Sequence, residues 1–323
     1  MIMKTFLRII FYSTFALSAA AIADSPQKPA DNAALRYWMA FAQMNDSQIS
    51  HADAMRMDAM INSGSPWEEK QFGPILEQNK AAIETMIRGS QLPYCEWGLE
   101  SERGPETPID YVPKARALAR LNNMNSIRLA STGDYHGAAR STITGIRFAQ
   151  HLAENGSFLG ALTAKSALLP ALIQAERIAG SNRMSADDLA SLRQAVHALP
   201  EGGFDWPSAA RAEKNALHSL LAKMSAANAK SLYQQWFGAP PEPGFHPPTK
   251  TDIDQLDRVM ESFAKLLGMP PEQGEAQLPA LQKEIANLDQ TSRNGVPNPA
   301  RMLAARTEIV KAQRRVKEAL KAD

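Results

Sequence analysis

The sequence is short of cysteine and has no excess of charge, and each shortage excludes a class of protein. Cys95 is the only cysteine in 323 residues, so an internal disulfide is excluded and packing must stabilise the fold. Lysine and arginine number 35 against 34 aspartates and glutamates, which gives a formal net charge of +1. A near-neutral chain lacks the positive field that attracts nucleic acid, so we expect no nucleic-acid partner.

Sequence motifs for catalysis, cofactor binding and metal binding are missing as well. The six histidines are widely spaced, with no two inside four residues of each other, which excludes a local zinc-ligand motif. Neither a glycine-rich phosphate loop nor the G-x-S-x-G elbow of α/β hydrolases occurs. The motifs therefore predict no catalytic residue, no metal site and no cofactor.

The first 23 residues are typical of a signal peptide. Lys4 and Arg8 precede an apolar run over residues 9–21, and Ala21-Ile22-Ala23 is typical of a cleavage site. The run is shorter than the ~20 residues that a membrane-spanning helix needs. We therefore expect residues 1–23 to be removed and the mature protein to be periplasmic or extracellular. No later apolar run of that length stands out, so we expect no transmembrane segment after cleavage.

From residue 31 onward, apolar residues recur at the three- and four-residue spacing of amphipathic helices, and no segment alternates like a strand. Ser157 and Ser185 precede such stretches and can cap helices. The clearest unit is a helix over 114–132, a corner at Gly133-Asp134-Tyr135 and a second helix to residue 155, which predicts an αα-hairpin. We predict an all-α fold of antiparallel αα-hairpins stacked as an irregular helical-repeat layer.

Five prolines between residues 238 and 248 predict an extended linker. This linker would separate a helical domain over 24–237 from a C-terminal helical segment over 249–323, and the sequence leaves open whether that segment is a separate domain. The helix expected from Pro299 is basic along one side and apolar along the other. It can touch anionic lipid, although packing by the apolar side with the charges in water is the favoured interpretation.

Two resemblances concern the middle of the chain. Residues 118–156 resemble one tetratricopeptide-type hairpin through Leu129-Ala130, the Gly133 corner and Ala138. Residues 95–156 are similar to a group of exported bacterial all-helical proteins. The matching segments are Cys95-Glu96-Trp97-Gly98, residues 114–120 (KARALAR), Gly133-Asp134-Tyr135 and Gln150-His151-Leu152, and Asn32-Ala33-Ala34 and Tyr37 fit the same group. The resemblance implies a helical architecture and an envelope location, and it brings no catalytic residue.

The candidate binding residues lie mainly in the irregular stretch over residues 92–113, because long loops often carry function. They are Tyr94, Cys95, Glu96 and Trp97, joined by Tyr135 at the hairpin corner and His151 on its second helix. A carboxylate beside aromatic rings can bind a sugar or act as a general acid, although a solvated acidic loop is the more ordinary interpretation. Cys95 suits a small buried residue better than a nucleophile.

Three functional hypotheses follow from these patterns. The first is a binding or scaffold protein of the cell envelope that holds a peptide or protein partner on a helical surface. The second is a hydrolase-type enzyme with a site in the loop over residues 95–113. The third is copper handling by soft ligands on the first two helices, against which the same methionines suit core packing. These candidate ligands are Met39, Met44, His51, Met55, Met57 and Met60.

Overall fold

The computed structural model describes residues 31–45, 50–99, 110–154 and 156–321. The expected signal peptide and residues 100–109 of the acidic loop lie outside these ranges. Within the described ranges the protein is all-α, which confirms the predicted fold class. The β-type pairing found there is a single isolated parallel bridge between Asn32 and Tyr94.

The helices are numbered in chain order. The first half contains α1 Ala33–Gln43, α2 His51–Asp58, a π-helical turn Ala59–Ser63, α3 Glu69–Gln78, α4 Lys80–Ser90, α5 Tyr111–Ser131, α6 Tyr135–Ala153 and α7 Phe158–Ala179. The second half contains α8 Ala186–His197, α9 Trp206–Leu221, α10 Ala229–Phe237, α11 Lys250–Gly268, α12 Pro271–Ala286, α13 Gln290–Gly295 and α14 Pro299–Ala319.

Several helices begin where the sequence provides a capping side chain. Asn32, Ser157 and Ser185 each accept a hydrogen bond from a backbone N–H in the first turn of α1, α7 and α8. These side chains satisfy donors that a helix start leaves free. Helix α5 begins at Tyr111, three residues before the predicted start, because Pro113 fits the first turn, where its missing N–H costs no hydrogen bond.

Helices α5 and α6 form the antiparallel hairpin expected from the sequence. Residues 132–134 make the corner, with Gly133 in the left-handed region at φ +88°. Polar side chains join the two helices: Asn122 Nδ2 donates to the Ser141 carbonyl at 2.8 Å, and Ser126 Oγ donates to the Ala138 carbonyl at 2.9 Å. The stacking of such hairpins as an irregular helical-repeat layer stays a prediction.

Helix α7 lies at the centre of the molecule and packs against α5, α6, α9 and α14. It is long and apolar enough to cross a membrane, with a mean hydropathy of 1.4, yet 61% of that window is buried inside the protein. Such burial is typical of a core helix. Lys165, Ser166 and Pro170 interrupt its apolar run, which is why the sequence pattern showed no second segment of membrane length.

The helices after residue 248 share one core with the helices before it. Helix α11 packs against α9 and α14 packs against α7, and the rings of Phe158 and Phe263 lie 5.3 Å apart. The proline-rich stretch joins this packing, since the Phe245 ring meets Tyr233 at 5.3 Å. A continuous apolar core therefore runs from Ala33 to Leu320, and a smaller cluster around Met60 lies beside it.

Helix α14 buries its apolar side and pairs several of its cations with carboxylates. Arg306 is 3% exposed; its guanidinium donates to the Met269 carbonyl at 2.8 Å and lies 3.4 Å from Glu201. Arg315 pairs with Glu176 at 2.9 Å. This arrangement corresponds to a helix packed by one face with the remaining charges in water.

Replacement of Gly203 by alanine tests the packing over α7. Gly203 has φ +84°, and a Cβ there would lie 2.5 Å from Leu168 Cδ2 and 3.1 Å from Ile309 Cγ2. Gly133 has a similar φ of +88° but open space around the same position. Both alanines should cost about 1–2 kcal/mol of left-handed strain, and Gly203→Ala should lose about 1–3 kcal/mol more through overpacking. Urea unfolding measures both, and equal losses would contradict this packing.

Candidate functional site

Residues 94–97 are held against the start of α1 by Asn32. The Asn32 side chain donates from Nδ2 to the Glu96 carbonyl at 2.8 Å and accepts the Glu96 N–H at Oδ1 at 2.9 Å. The Ala33 N–H donates to the Tyr94 carbonyl at 2.8 Å. These backbone contacts fix the segment, so the direction of each side chain in it is well defined.

Trp97 is the centre of a buried aromatic cluster. Its ring lies 5.7 Å from Tyr37 and 6.1 Å from Phe41 in stacked geometry, and 5.3 Å from Tyr111. Its indole Nε1 donates to the His151 carbonyl at 2.8 Å. Because Trp97 is 5% exposed and joins α1, α5 and α6, its first contribution is to packing. These four rings with His151 are called the Trp97 cluster below.

His151 and Tyr37 form a buried polar pair inside the Trp97 cluster. The Tyr37 hydroxyl lies 2.6 Å from His151 Nδ1, and one of the two groups donates to the other. Burial, aided by the charge of Arg147, lowers the pKa of His151 to about 4, while burial raises the pKa of Tyr37 well above its usual value. Both groups are therefore neutral near pH 7, which suits a structural hydrogen bond better than proton transfer.

Cys95 is buried and lacks the surroundings of a nucleophile. It is 5% exposed, and burial together with the charge of Glu154 raises the pKa of its thiol. Reactive cysteines need a thiolate in electropositive surroundings. Glu154 accepts a hydrogen bond from the Cys95 backbone, and partial burial raises the pKa of its carboxyl to about 7. Cys95 thus fits a packing role, while residues 100–109 of the loop that the hydrolase hypothesis invokes lie outside the described ranges.

The other predicted binding residues divide between two places. Tyr94 and Glu96 lie beside the Trp97 cluster near the surface, where the Tyr94 hydroxyl donates to the Glu96 carboxylate. Tyr135 lies at the far end of α6, about 24 Å along the helix from His151. There the Arg183 guanidinium covers its ring at 5.0 Å, beside a cavity of about 260 Å³ that Trp67 also lines. The six predicted residues therefore do not meet in one pocket.

The methionines proposed as copper ligands lie in different surroundings. Met57 and Met60 are buried in the smaller apolar cluster, whereas Met39 is 47% and Met55 is 63% exposed. Among the described residues, no group of three or more histidine, cysteine, aspartate or glutamate side chains is placed to hold a metal ion. Core packing therefore accounts for Met57 and Met60, and copper handling by these side chains stays a prediction.

A cleft of about 750 Å³ lies between α5, α7 and α14, and no sequence pattern predicted it. Its volume falls in the range of about 300–1,000 Å³ that ligand sites occupy. Apolar side chains and cations share its walls, and the end of α2 and the π-helical turn border it. The lining residues are Asp58, Ile61, Asn62, Arg116, Arg120, Asn123, Leu159, Leu162, Lys165, Ser166, Leu169, Pro170, Arg301, Ala304, Ala305 and Glu308.

The walls of the cleft carry more positive than negative charge. Arg120 pairs with Asp58 at 3.3 Å, and Lys165 pairs with Glu308 at 2.6 Å. Arg116 and Arg301 also line the cleft, and neither has a carboxylate partner within the described ranges. The cleft therefore has two guanidinium groups without a paired carboxylate among the described residues, in a chain that is close to neutral overall.

Asn123 adds an unpaired acceptor to the wall of the cleft. The residue is 2% exposed, and its Nδ2 donates to the Ala119 carbonyl at 2.9 Å. Its Oδ1 is buried without a hydrogen-bond partner in the part of the chain that the structure describes. A buried acceptor left unpaired costs about 1–3 kcal/mol, so a ligand that supplies a donor would gain from meeting it.

Comparison with known proteins adds no assignment. No protein-family profile matches the chain, and no curated protein or solved structure is significantly similar to it.

The burial of Cys95 makes its reactivity a simple test of the Trp97 cluster. The thiol of the folded protein should react with 5,5′-dithiobis(2-nitrobenzoic acid) at least about a hundredfold more slowly than in 6 M guanidinium, because attack needs exposed thiolate. Absorbance at 412 nm follows the reaction, and the single cysteine makes its assignment unambiguous. Labelling at equal rates would contradict the burial.

His151 should make the protein less stable in acid. Its pKa of about 4 in the folded protein lies below the ordinary 6.5, so the unfolded chain takes up a proton first and stability falls between pH 6.5 and 4. The raised pKa of Glu154 acts in the opposite direction, with stability lost as the pH rises from 4.5 to 7.

A comparison of the wild type with His151→Gln separates the contribution of His151 to the pH dependence from that of Glu154, because both proteins keep Glu154. The free energy of unfolding from urea titrations at pH 6.5, 5.5 and 4.5 should fall more steeply with acid in the wild type than in the variant. Parallel pH profiles would mean that His151 is not held neutral by burial.

Proposed function

We propose that the protein is an exported binding protein of the cell envelope, without catalytic activity, that holds a peptide segment of a partner in the cleft between α5, α7 and α14. The observation that carries the proposal is the cleft itself, with its ligand-sized volume of about 750 Å³, apolar floor and cationic walls. The signal-peptide pattern of residues 1–23 supports the envelope location.

The shape and lining of the cleft suit a peptide. Leu159, Leu162 and Leu169 of α7 offer apolar surface for side chains, while the arginines and Asn123 offer polar contacts at the same site. Lining residues such as Ser166 and Ala304 are exposed to solvent, so a segment of a longer chain can enter and leave the cleft. A largely preformed site of this kind avoids part of the ordering cost of binding.

The enzyme alternative has less support. The Tyr37–His151 pair is neutral and buried, and the Cys95 thiol has a raised pKa, so neither supplies an activated nucleophile. The two carboxylates on the walls of the cleft, Asp58 and Glu308, are each paired with a cation. Such pairs stabilise a binding surface and leave no free general base.

Filling the cleft tests the proposal. Ala304 is an exposed residue on the cleft wall, so Ala304→Trp places an indole in the cavity without disturbing the core. Ala190→Trp on α8 is the matched control, since Ala190 is exposed and lies outside the cleft. The probe is a bead-displayed library of random heptapeptides, incubated with the fluorescently labelled full protein, and the retained peptides are then resynthesised.

Fluorescence anisotropy with the resynthesised peptides gives the dissociation constants. Ala304→Trp should weaken binding at least about tenfold, and Ala190→Trp should bind as the wild type does. Retention of no heptapeptide by the wild type, or equal binding by Ala304→Trp, would contradict the proposed function.

A further inference from the structure

Charge in the cleft favours a ligand with an anionic group. Arg116 on α5 and Arg301 on α14 border the cleft from two helices, and neither is neutralised by a carboxylate among the described residues. A guanidinium carries five donors in a planar fork that matches a carboxylate, and such charge-assisted bonds are stronger than neutral ones. An acidic group bound in the cleft would therefore meet guanidinium groups that carry no competing carboxylate among the described residues.

The unpaired acceptor of Asn123 distinguishes between anionic ligands. A fatty acid supplies a carboxylate and an apolar chain, and both suit the cleft, but it has no donor for Asn123 Oδ1. A peptide supplies backbone N–H donors at every residue other than proline. Oδ1 is buried in this structure, so a bound N–H can reach it only if the side chains that cover it move.

We propose that the cleft selects peptide segments with an aspartate or glutamate, whose carboxylate binds Arg116 and Arg301 while a backbone N–H beside it donates to Asn123 Oδ1. The leucines of α7 then receive an apolar side chain of the same segment. This inference rests on the proposed function and adds the chemical class of the ligand to it. The Arg120–Asp58 and Lys165–Glu308 pairs remain intact and frame the site.

Paired peptides test the selection by charge. Each retained heptapeptide with an acidic residue is synthesised with glutamate and with glutamine at that position, and binding is measured by fluorescence anisotropy. The wild type should bind the glutamate peptide at least about tenfold more tightly. The double variant Arg116→Gln/Arg301→Gln should lose this discrimination and bind the glutamine peptide as the wild type does.

A matched control removes the same charge elsewhere. Arg140 on α6 and Arg258 on α11 are exposed and lie outside the cleft, so Arg140→Gln/Arg258→Gln should keep the discrimination. Loss of discrimination in this control would assign it to net charge and overturn the inference. Binding without regard to charge, or a preference for basic peptides, would overturn it as well while leaving the proposed function intact.

Backbone recognition has its own test. Each backbone nitrogen of the bound peptide is methylated in turn, and the affinity of each methylated peptide is measured. At one position, methylation should weaken binding to the wild type at least about fivefold and leave binding to Asn123→Leu unchanged. Circular dichroism melting verifies that the variant is folded. Displacement of the bound glutamate peptide by sodium dodecanoate at equal concentration would place an acyl anion in the cleft and overturn the peptide class.

Discussion

The burial of α7 is the constraint on which the rest of the structure depends. Its 22 residues are apolar enough for a membrane span, so the fold must cover it, and α5, α6, α9 and α14 do so. This requirement joins the helices after the proline-rich stretch to those before it. Where the flanks of α5 and α14 leave the leucines of α7 partly uncovered, a cleft remains, and the proposed binding site is thus a consequence of how the central helix is enclosed.

The Trp97 cluster stabilises the packing of α1, α5 and α6, again through the burial of apolar surface. Trp97, Tyr37 and His151 bring three separate parts of the chain into contact, and the Tyr37 hydroxyl and His151 Nδ1 are hydrogen-bonded to each other. A buried and fully paired polar group specifies one arrangement of a core, because each alternative leaves a donor or acceptor unpaired. The candidate site residues Trp97 and His151 therefore serve, together with Tyr37, to pack α1 against α6.

Local features of the fold could be predicted because local interactions produce them. Ser157 and Ser185 cap the helices that they precede, and Gly133 turns the corner between α5 and α6. The site could not be predicted in the same way. Arg116, Lys165 and Arg301 are far apart in the sequence and line one cleft only when α5, α7 and α14 pack.

The predicted site residues show the same limit. Cys95, Trp97 and His151 do come together, but their approach to Tyr37 depends on how α1 packs, while Tyr135 points to a different cavity.

The most direct measurement is photo-crosslinking of a retained heptapeptide that carries benzoylphenylalanine, with the modified residues read by mass spectrometry. The account predicts modification on α5, α7 and α14 along the cleft. Modification at the Trp67–Tyr135 cavity or on α1, with the cleft unmodified, would contradict it.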